Sequence, residues 1–557
     1  MKVHVPLNTD VMTSPTTDQI SAWFDADPDP DTHAELADLV ERDPEAAARR
    51  FESRLKFGTA GLRGPLGAGP DHMNRVIVRM AAWALGTRLL ADHPDGLVVV
   101  GFDARSKSRD FATDTARVLI NLGLAVEVLD DVVPTPVLAH SVIDCGAIAG
   151  VMVTASHNPP SDSGYKVYWG DGAQIIPPID RDIERLISSR DPLSEAELAD
   201  ESVSLLVSAR GRIDAYLDTV VAALPGAGTT PVHSVYTPLH GVGGQTVLDA
   251  FQRRALVAPT LVADQFEPDG DFPTLSLPNP EEDGVLDLAF TTADVAGCDL
   301  ILANDPDADR LGVAIRRDGR WRTLTGDEIG TLLGDHLLRS GSGPGRVVAC
   351  SFVSSTALDR VAAHHGVQMR RTLSGFKWII RPSIEESDLE YVFGYEEALG
   401  FAASPLVRDK DGITAAVVLT ELASSLATGG SDLVDRLNEI ALRDGLVMTR
   451  PVSVRYEHDI AAVTTLMAEL RDVPPTTISS HPVVVDDWLT HADPVDLVTL
   501  DLGAAGQVLI RPSGTEPKIK AYIEVAIDDV TDIEAARATL SARLDAIATA
   551  VDELLTR

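Results

Sequence analysis

Cysteine is almost absent from this 557-residue chain, which has only Cys145, Cys298 and Cys350. An odd, scattered set offers neither a disulfide framework nor a paired metal-ligand spacing, so all three read as core thiols. Long apolar runs are missing too. No stretch of about 18 apolar residues occurs, and the opening MKVHVPLNTDVMTSPTTDQ lacks the apolar segment of a signal peptide. These absences predict a soluble, cytoplasmic protein with no membrane partner. Positive charge is scarce as well. Lys and Arg number 47 against 84 Asp and Glu, a formal net charge of −37. Such a field repels nucleic acid and anionic lipid. It opposes any phosphorylated small molecule equally, so a site for one must bring its own cluster of Lys and Arg.

What is present is an ordinary globular balance, 45% hydrophobic and 24% charged, with enough apolar material for several cores. At about 100 to 200 residues per domain the length suggests roughly three to five domains. The stretch from Thr17 to Leu55 has helical apolar spacing at Leu36, Leu39 and Val40 and reads as a helical leader that packs as an arm. Beyond it, short β-branched runs such as Leu97 to Val100, Ala147 to Val153 and Leu300 to Ala303 alternate with helical patterns such as Asp110 to Leu122. That alternation predicts α/β layers. Breaks near Arg210, Arg322 and Asp444 divide the chain into four units, 1–208, 209–322, 323–444 and 445–557. The Ala- and Leu-rich tail from Asp532 to Leu555 is expected to form a helix over the last unit's sheet.

Four segments carry chemistry. Thr154-Ala155-Ser156-His157-Asn158-Pro159-Pro160 follows an apolar strand candidate. Two prolines stiffen the loop and would hold the Ser156 hydroxyl in one orientation, as a nucleophile requires; the alternative is an ordinary Ser in a polar turn. The G-x-S-x-G elbow of acyl-transfer hydrolases is absent. Asn304-Asp305-Pro306-Asp307-Ala308-Asp309-Arg310 also follows a strand candidate. Its three carboxylates can converge only if a divalent cation separates them, or else the loop is splayed and solvated. An EF-hand is excluded, since Arg310 stands at the sixth position and Arg316 at the twelfth. Three oxygens completed by a phosphate oxygen and water suit Mg²⁺. Arg511-Pro512-Ser513-Gly514-Thr515-Glu516-Pro517-Lys518 offers a guanidinium, hydroxyls and an open backbone, either a phosphate cradle or a surface turn. Gly394-Tyr395-Glu396-Glu397-Ala398-Leu399-Gly400 sets two carboxylates between glycines, where they could accept hydrogen bonds from sugar hydroxyls or simply be solvated.

In this order the four segments resemble the α-D-phosphohexomutase superfamily, which includes phosphoglucomutases and phosphomannomutases. The likeness covers nearly the whole chain. It extends to Phe57-Gly58-Thr59-Ala60-Gly61-Leu62-Arg63-Gly64, Gly101-Phe102-Asp103-Ala104-Arg105, Lys166, and Tyr236-Thr237-Pro238-Leu239-His240-Gly241. The resemblance implies three related α/β domains with mixed sheets and a smaller C-terminal α+β domain around a central cleft. It implies a phosphoserine at Ser156, Mg²⁺ on Asp305, Asp307, Asp309 and the serine phosphate, and assistance to transfer from Arg63, Lys166 and His157. Glu396 would hold sugar hydroxyls, while Arg511, Ser513, Gly514 and Thr515 would bind the phosphate not then reacting. Arg310 and Lys377, the latter in Ser374-Gly375-Phe376-Lys377-Trp378, would complete a basic lining. The implied activity interconverts the 1- and 6-phosphates of glucose or mannose through a sugar 1,6-bisphosphate, which serves as both activator and intermediate. One departure bears on the sugar: many members carry Ser where Ala398 stands. The acidic loop, the Gly-Phe-Lys-Trp loop and the length look more like the branch that includes phosphopentomutases and a sugar-bisphosphate synthase. A sensor that binds sugar phosphates without catalysis is disfavoured by the intact serine loop and acidic triplet.

Overall fold

The computed structural model describes residues 17–56, 61–200, 205–226, 230–456, 460–491, 494–512 and 518–556. Three short helices, Thr17–Ala26, Pro30–Arg42 and Pro44–Arg49, form the leader. Asp29 and Asp43 cap the second and third through side-chain bonds to Asp31 N and Ala46 N.

Four larger sheets follow in chain order. The first has six strands, Leu62–Pro65, Asp162–Trp169, Ala149–Val153, Leu97–Phe102, Ala125–Leu129 and Leu205–Val207 in spatial order. Its middle pairs are parallel, whereas Asp162–Trp169 runs antiparallel to both its neighbours. Parallel pairs need helical crossovers, and Ser108–Asn121 and Thr135–Asp144 supply them. The second sheet is also mixed, with strands Arg320–Thr323, Leu311–Arg317, Leu300–Asn304, Ser234–Thr237 and Thr260–Leu261. The third has Gln368–Thr372, Arg346–Ser351, Glu390–Glu396 and Gly400–Ala402. The fourth is wholly antiparallel, built from Leu446–Arg455, Lys518–Ile527, Gln507–Pro512, Val498–Asp501 and Val484–Asp487. The helix Ile533–Leu555 buries Leu540, Leu544, Ile547 and Val551 against it.

The cores show how the units are packed together. One continuous apolar cluster runs from Val99 and Val142 through Phe251, Leu302 and Val313 to Phe393, Leu419 and Ile440, joining the first three sheets. The fourth sheet has a separate core. It meets the third unit through a small cluster of Phe352, Val353, Leu497, Leu509 and Tyr522. Among the described residues no single helix is long and apolar enough to cross a membrane.

Candidate active site

Three strands end at the same place, one from each of the first three sheets. The first, Ala149–Val153, is buried along its whole length, as expected of a strand covered on both faces. It ends at Thr154, whose Oγ1 accepts the N–H of Ser156 at 2.9 Å. Ser156 has φ +54°, a left-handed conformation that side chains other than glycine seldom adopt. The second strand, Leu300–Asn304, leads into the acidic loop. There Arg310 N donates to Asp305 Oδ1 at 2.9 Å, Ala308 N to Asp305 O at 2.8 Å, and Asn304 Nδ2 to Arg310 O at 2.6 Å. Ala308 lies at φ +57°. This bend converts the alternating acids of the sequence into a cluster, with one oxygen of each of Asp305, Asp307 and Asp309 within 4.8 Å of the others. The third strand, Glu390–Glu396, delivers Glu396, and its loop is tied to the second: Arg310 Nη1 donates to Ala398 O at 2.9 Å and Leu311 N to Leu399 O at 3.1 Å.

The Ser156 hydroxyl donates to Asp305 Oδ2 at 2.8 Å, which joins the first and second units at the reacting atom. His157 Nδ1 lies 3.1 Å from the same hydroxyl oxygen. The hydroxyl proton goes to Asp305, so the imidazole tautomer with hydrogen on Nδ1 completes the pair. Burial, with Arg310 and Arg63 nearby, holds His157 well below the usual histidine range, and its ring is neutral. Lys166, on the strand Asp162–Trp169, donates to Asp307 Oδ2 at 2.7 Å and Asp309 Oδ2 at 2.8 Å. Burial opposes its charge, yet those two carboxylates push the ammonium up to about 12. Arg63 Nη1 reaches Ala155 O at 3.5 Å, placing its guanidinium against the serine loop.

The three acids differ in charge state. Burial and the neighbouring Asp309 and Asp307 carboxylates hold Asp305 well above the ordinary carboxylate range. Asp309 is equally buried, but Lys166, Lys410 and Arg310 hold it below that range. Oδ1 of Asp307 and Oδ1 of Asp309 are buried with no hydrogen-bond partner among the described residues. A hard-oxygen set with two buried oxygens still to be satisfied fits a Mg²⁺ ion.

Glu396 is held above its usual range by burial, with Lys410 and Arg310 opposing. Glu397 Oε2 accepts from Ser351 Oγ at 3.1 Å and Ser354 Oγ at 3.3 Å. From the fourth sheet, Arg511 donates to Tyr522 Oη at 3.0 Å, and Glu397 and Glu396 are among the carboxylates whose field it feels. Ser513, Gly514 and Thr515 lie outside the described residues, as do Phe57 to Ala60 of the early motif. Lys377 is buried, but the charges acting on it are Asp180 and Arg381, so it is not among the cations gathered at the acidic loop.

Several members of the constellation escape a linear reading. Lys410 Nζ lies 3.1 Å from Asp309 Oδ2 and 3.2 Å from Asp409 Oδ1, while Tyr168 Oη donates to Asp409 at 2.6 Å. Thr135 binds Asp307 twice, Oγ1 to Oδ2 at 2.6 Å and N to O at 2.9 Å. The run Arg408-Asp409-Lys410-Asp411-Gly412 before an apolar helix was a visible signal for Lys410, whereas Thr135 gives none.

Comparisons with known proteins agree with this geometry. Residues 54–193, 214–319 and 325–440 match the family models described as phosphoglucomutase/phosphomannomutase alpha/beta/alpha domains I, II and III, and 499–539 match its C-terminal domain. A Haemophilus influenzae protein named "Probable phosphomannomutase" is 40% identical, covering 83% of this chain and 95% of its own. The mouse phosphopentomutase is 35% identical, covering 91% and 90%. A crystal structure of a Burkholderia thailandensis phosphoglucomutase/phosphomannomutase family protein, 20% identical, shares the fold with a TM-score of 0.65 over 89% of this chain and 97% of that one. With all four domain models matched in order and the serine and acidic loops meeting at one point, the chain belongs to the phosphoglucomutase/phosphomannomutase family within the α-D-phosphohexomutase superfamily, and is a phosphosugar mutase.

Proposed function

We propose that this mutase interconverts the 1- and 6-phosphates of glucose or mannose, and that Ser156 carries the phosphoryl group between substrates. The observation that supports this most directly is the Ser156 hydroxyl 2.8 Å from Asp305 in a cluster of three acids that Lys166 bridges. In each half-reaction the bond from phosphorus to Ser156 Oγ breaks as a bond from phosphorus to a sugar hydroxyl oxygen forms. The sugar hydroxyl gives up its proton, and Ser156 Oγ regains one. His157, with its Nδ1 hydrogen facing Oγ from 3.1 Å, would donate a hydrogen bond to that oxygen as charge develops on it, while the proton given up by the sugar hydroxyl replaces the phosphoryl group on Oγ. Arg63 and Lys166 stabilise the charge on the transferring oxygens, because phosphoryl transfer depends chiefly on positioning and electrostatics. Asp305, Asp307 and Asp309, with a phosphate on Ser156, would hold Mg²⁺, which would supply further charge neutralisation there. The sugar 1,6-bisphosphate formed turns end for end and returns its other phosphate to Ser156. Glu396 holds sugar hydroxyls, Arg310 and Lys410 line the cleft, and Arg511 with Ser513, Gly514 and Thr515 grips the phosphate at rest.

A pentose phosphate is the second reading. It is supported by Ala398, where many family members carry Ser, and by a relative named phosphopentomutase. Phosphorus NMR of the protein with Mg²⁺, a trace of glucose 1,6-bisphosphate and equal amounts of the 1-phosphates of glucose, mannose and ribose separates them. Hexose 6-phosphates forming first is the expected outcome. Ribose 5-phosphate forming first replaces the hexose reading, net bisphosphate build-up at the expense of a sugar 1-phosphate that is left as free sugar makes the protein a synthase, and unmoved signals rule out turnover.

A further inference from the structure

The mechanism requires the Ser156 hydroxyl to point at a fixed place, but Ser156 sits in a backbone conformation that costs free energy, φ +54°. Something outside the loop must hold it. Arg105 reaches the loop from the segment that follows the strand Leu97–Phe102. Its Nη2 donates to Ser156 O at 2.6 Å and Asn158 O at 2.6 Å, and its Nη1 to Pro159 O at 2.7 Å and Asp162 O at 3.1 Å. Three carbonyls of the serine loop and that of Asp162, where the next strand begins, therefore converge on a single guanidinium. Without a cation between them, their aligned dipoles would repel and the loop would open.

The rest of the surroundings fixes that guanidinium in turn. Arg105 is 4% exposed, and its Nε lies 3.5 Å from Asp103 Oδ2. Asp103 Oδ1 accepts from Ser108 Oγ at 2.6 Å and from Arg105 N at 3.1 Å. Phe272, from the unit that carries the acidic loop, lies with its ring centroid 4.8 Å from the guanidinium carbon. Gly270 lets that segment approach closely: a Cβ there would fall 2.5 Å from Ala104 O and 2.6 Å from Arg105 Cα. Arg105 is thus packed between the serine loop and the neighbouring unit, touching no reacting atom.

We infer that Arg105 is a positioning residue for phosphoryl transfer, holding the serine loop in the strained form that aims Ser156 at the acidic cluster. The inference rests on Ser156 being the phosphoryl carrier. A fork of two nitrogens with four N–H donors can serve these four carbonyls at once. Lysine, with three donors on a tetrahedral nitrogen, keeps the buried charge and loses the geometry. A misplacement of about 1 Å can cost a factor of roughly 100 in rate, so Arg105→Lys should slow the chemical step by about that factor.

The test uses the full chain with Mg²⁺ and glucose 1,6-bisphosphate, following the phosphoryl group gained by the protein in a single turnover by intact mass and locating it by peptide mapping. Bisphosphate affinity and melting temperature are measured on the same samples. Expected is wild-type protein phosphorylated on Ser156, and Arg105→Lys phosphorylated there about 100-fold more slowly with unchanged bisphosphate affinity. Wild-type protein with no phosphate on Ser156 removes the carrier reading itself. Wild-type protein labelled on Ser156, with the variant labelled at the same rate or slowed only in proportion to its unfolded fraction, overturns the role of Arg105 alone. Should Arg105→Lys not fold, Asp103→Asn/Arg105→Gln removes both buried charges together and is read in the same way.

Discussion

Ser156 is unusual less for its hydroxyl than for the number of groups that fix it. Its amide is held by Thr154, its carbonyl by Arg105 and its hydroxyl by Asp305. A side chain so constrained needs no reorganisation before it reacts, which is the condition under which positioning lowers a barrier. Ser156→Ala removes only Oγ, so turnover should fall by about 10³-fold or more while the melting temperature stays close to wild type. Retained turnover in a steady-state assay would sink the phosphoserine mechanism. Thr135 acts on the other side of the site, binding both the carboxylate and the carbonyl of Asp307 from the start of the helix Thr135–Asp144. Groups that orient a metal ligand typically contribute tenfold or more to metal affinity, so Thr135→Val should weaken Mg²⁺ binding about tenfold in calorimetric titration. Unchanged affinity would make that contact a packing feature only.

At the scale of elements, the helix Gly412–Thr428 shows how one cap serves two units. Asp411 accepts from Ile413 N at 3.1 Å and Thr414 N at 3.0 Å, and also from the hydroxyl of Tyr216 in the helix Ala209–Tyr216. Burial raises the Asp411 carboxyl to about 6, although these hydrogen bonds oppose the shift. Between its unfolded range near 4 and that value, the folded chain keeps a proton that the unfolded chain has released. The stability contributed by Asp411 is therefore fully present below pH 4 and is lost as pH rises through 6. Asparagine caps helices equally well and does not titrate. Wild type minus Asp411→Asn should thus lose on the order of 2 to 3 kcal/mol of stability between pH 4 and 7, read from paired thermal melts. A difference that does not vary with pH would show that this carboxyl ionises normally.

At the scale of the molecule, the three-sheet body and the fourth unit are joined unequally. One core runs through the body, whereas the fourth unit meets it through a small apolar cluster, through Ala441 and through polar ties, Thr449 Oγ1 to Asp327 at 2.7 Å and Thr356 N to Glu524 at 2.7 Å among them. The link passes through Gly445, at φ +97°, where a Cβ would meet Arg360 Nη1 at 2.4 Å and Ile527 O at 2.8 Å. A small joint of this kind permits domain movement. On that basis the fourth unit is expected to close over bound bisphosphate and to exclude water during transfer. Small-angle scattering should show a smaller radius of gyration when Mg²⁺ and glucose 1,6-bisphosphate are added to wild type, and no change with Arg511→Ala. A charge-assisted phosphate contact is worth about 1.5 to 3 kcal/mol, so the same substitution should raise KM about 10- to 100-fold. An unaltered KM would remove Arg511 from the phosphate site.

The sequence by itself determined the elements and the chemical inventory. Apolar runs such as Leu300 to Ala303 and the helical spacing of Asp532 to Leu555 reflect local periodicity, and the strand Leu300–Asn304 and helix Ile533–Leu555 occur where that periodicity places them. Ser156 and the alternating acids could be singled out because unusual side chains followed directly on those strands. Which of these groups meet was decided only by tertiary structure. Lys410 reaches Asp309 from about 100 positions away in sequence, and Thr135 reaches Asp307 from another unit. Charge states were undetermined for the same reason. Asp305 and Asp309 are near neighbours in one loop, yet burial among acids raises the first while two ammonium groups and a guanidinium lower the second. Periodicity is local and survives in one dimension. Convergence depends on how sheets stack and on the low-dielectric space between them, and those exist only once the chain has folded.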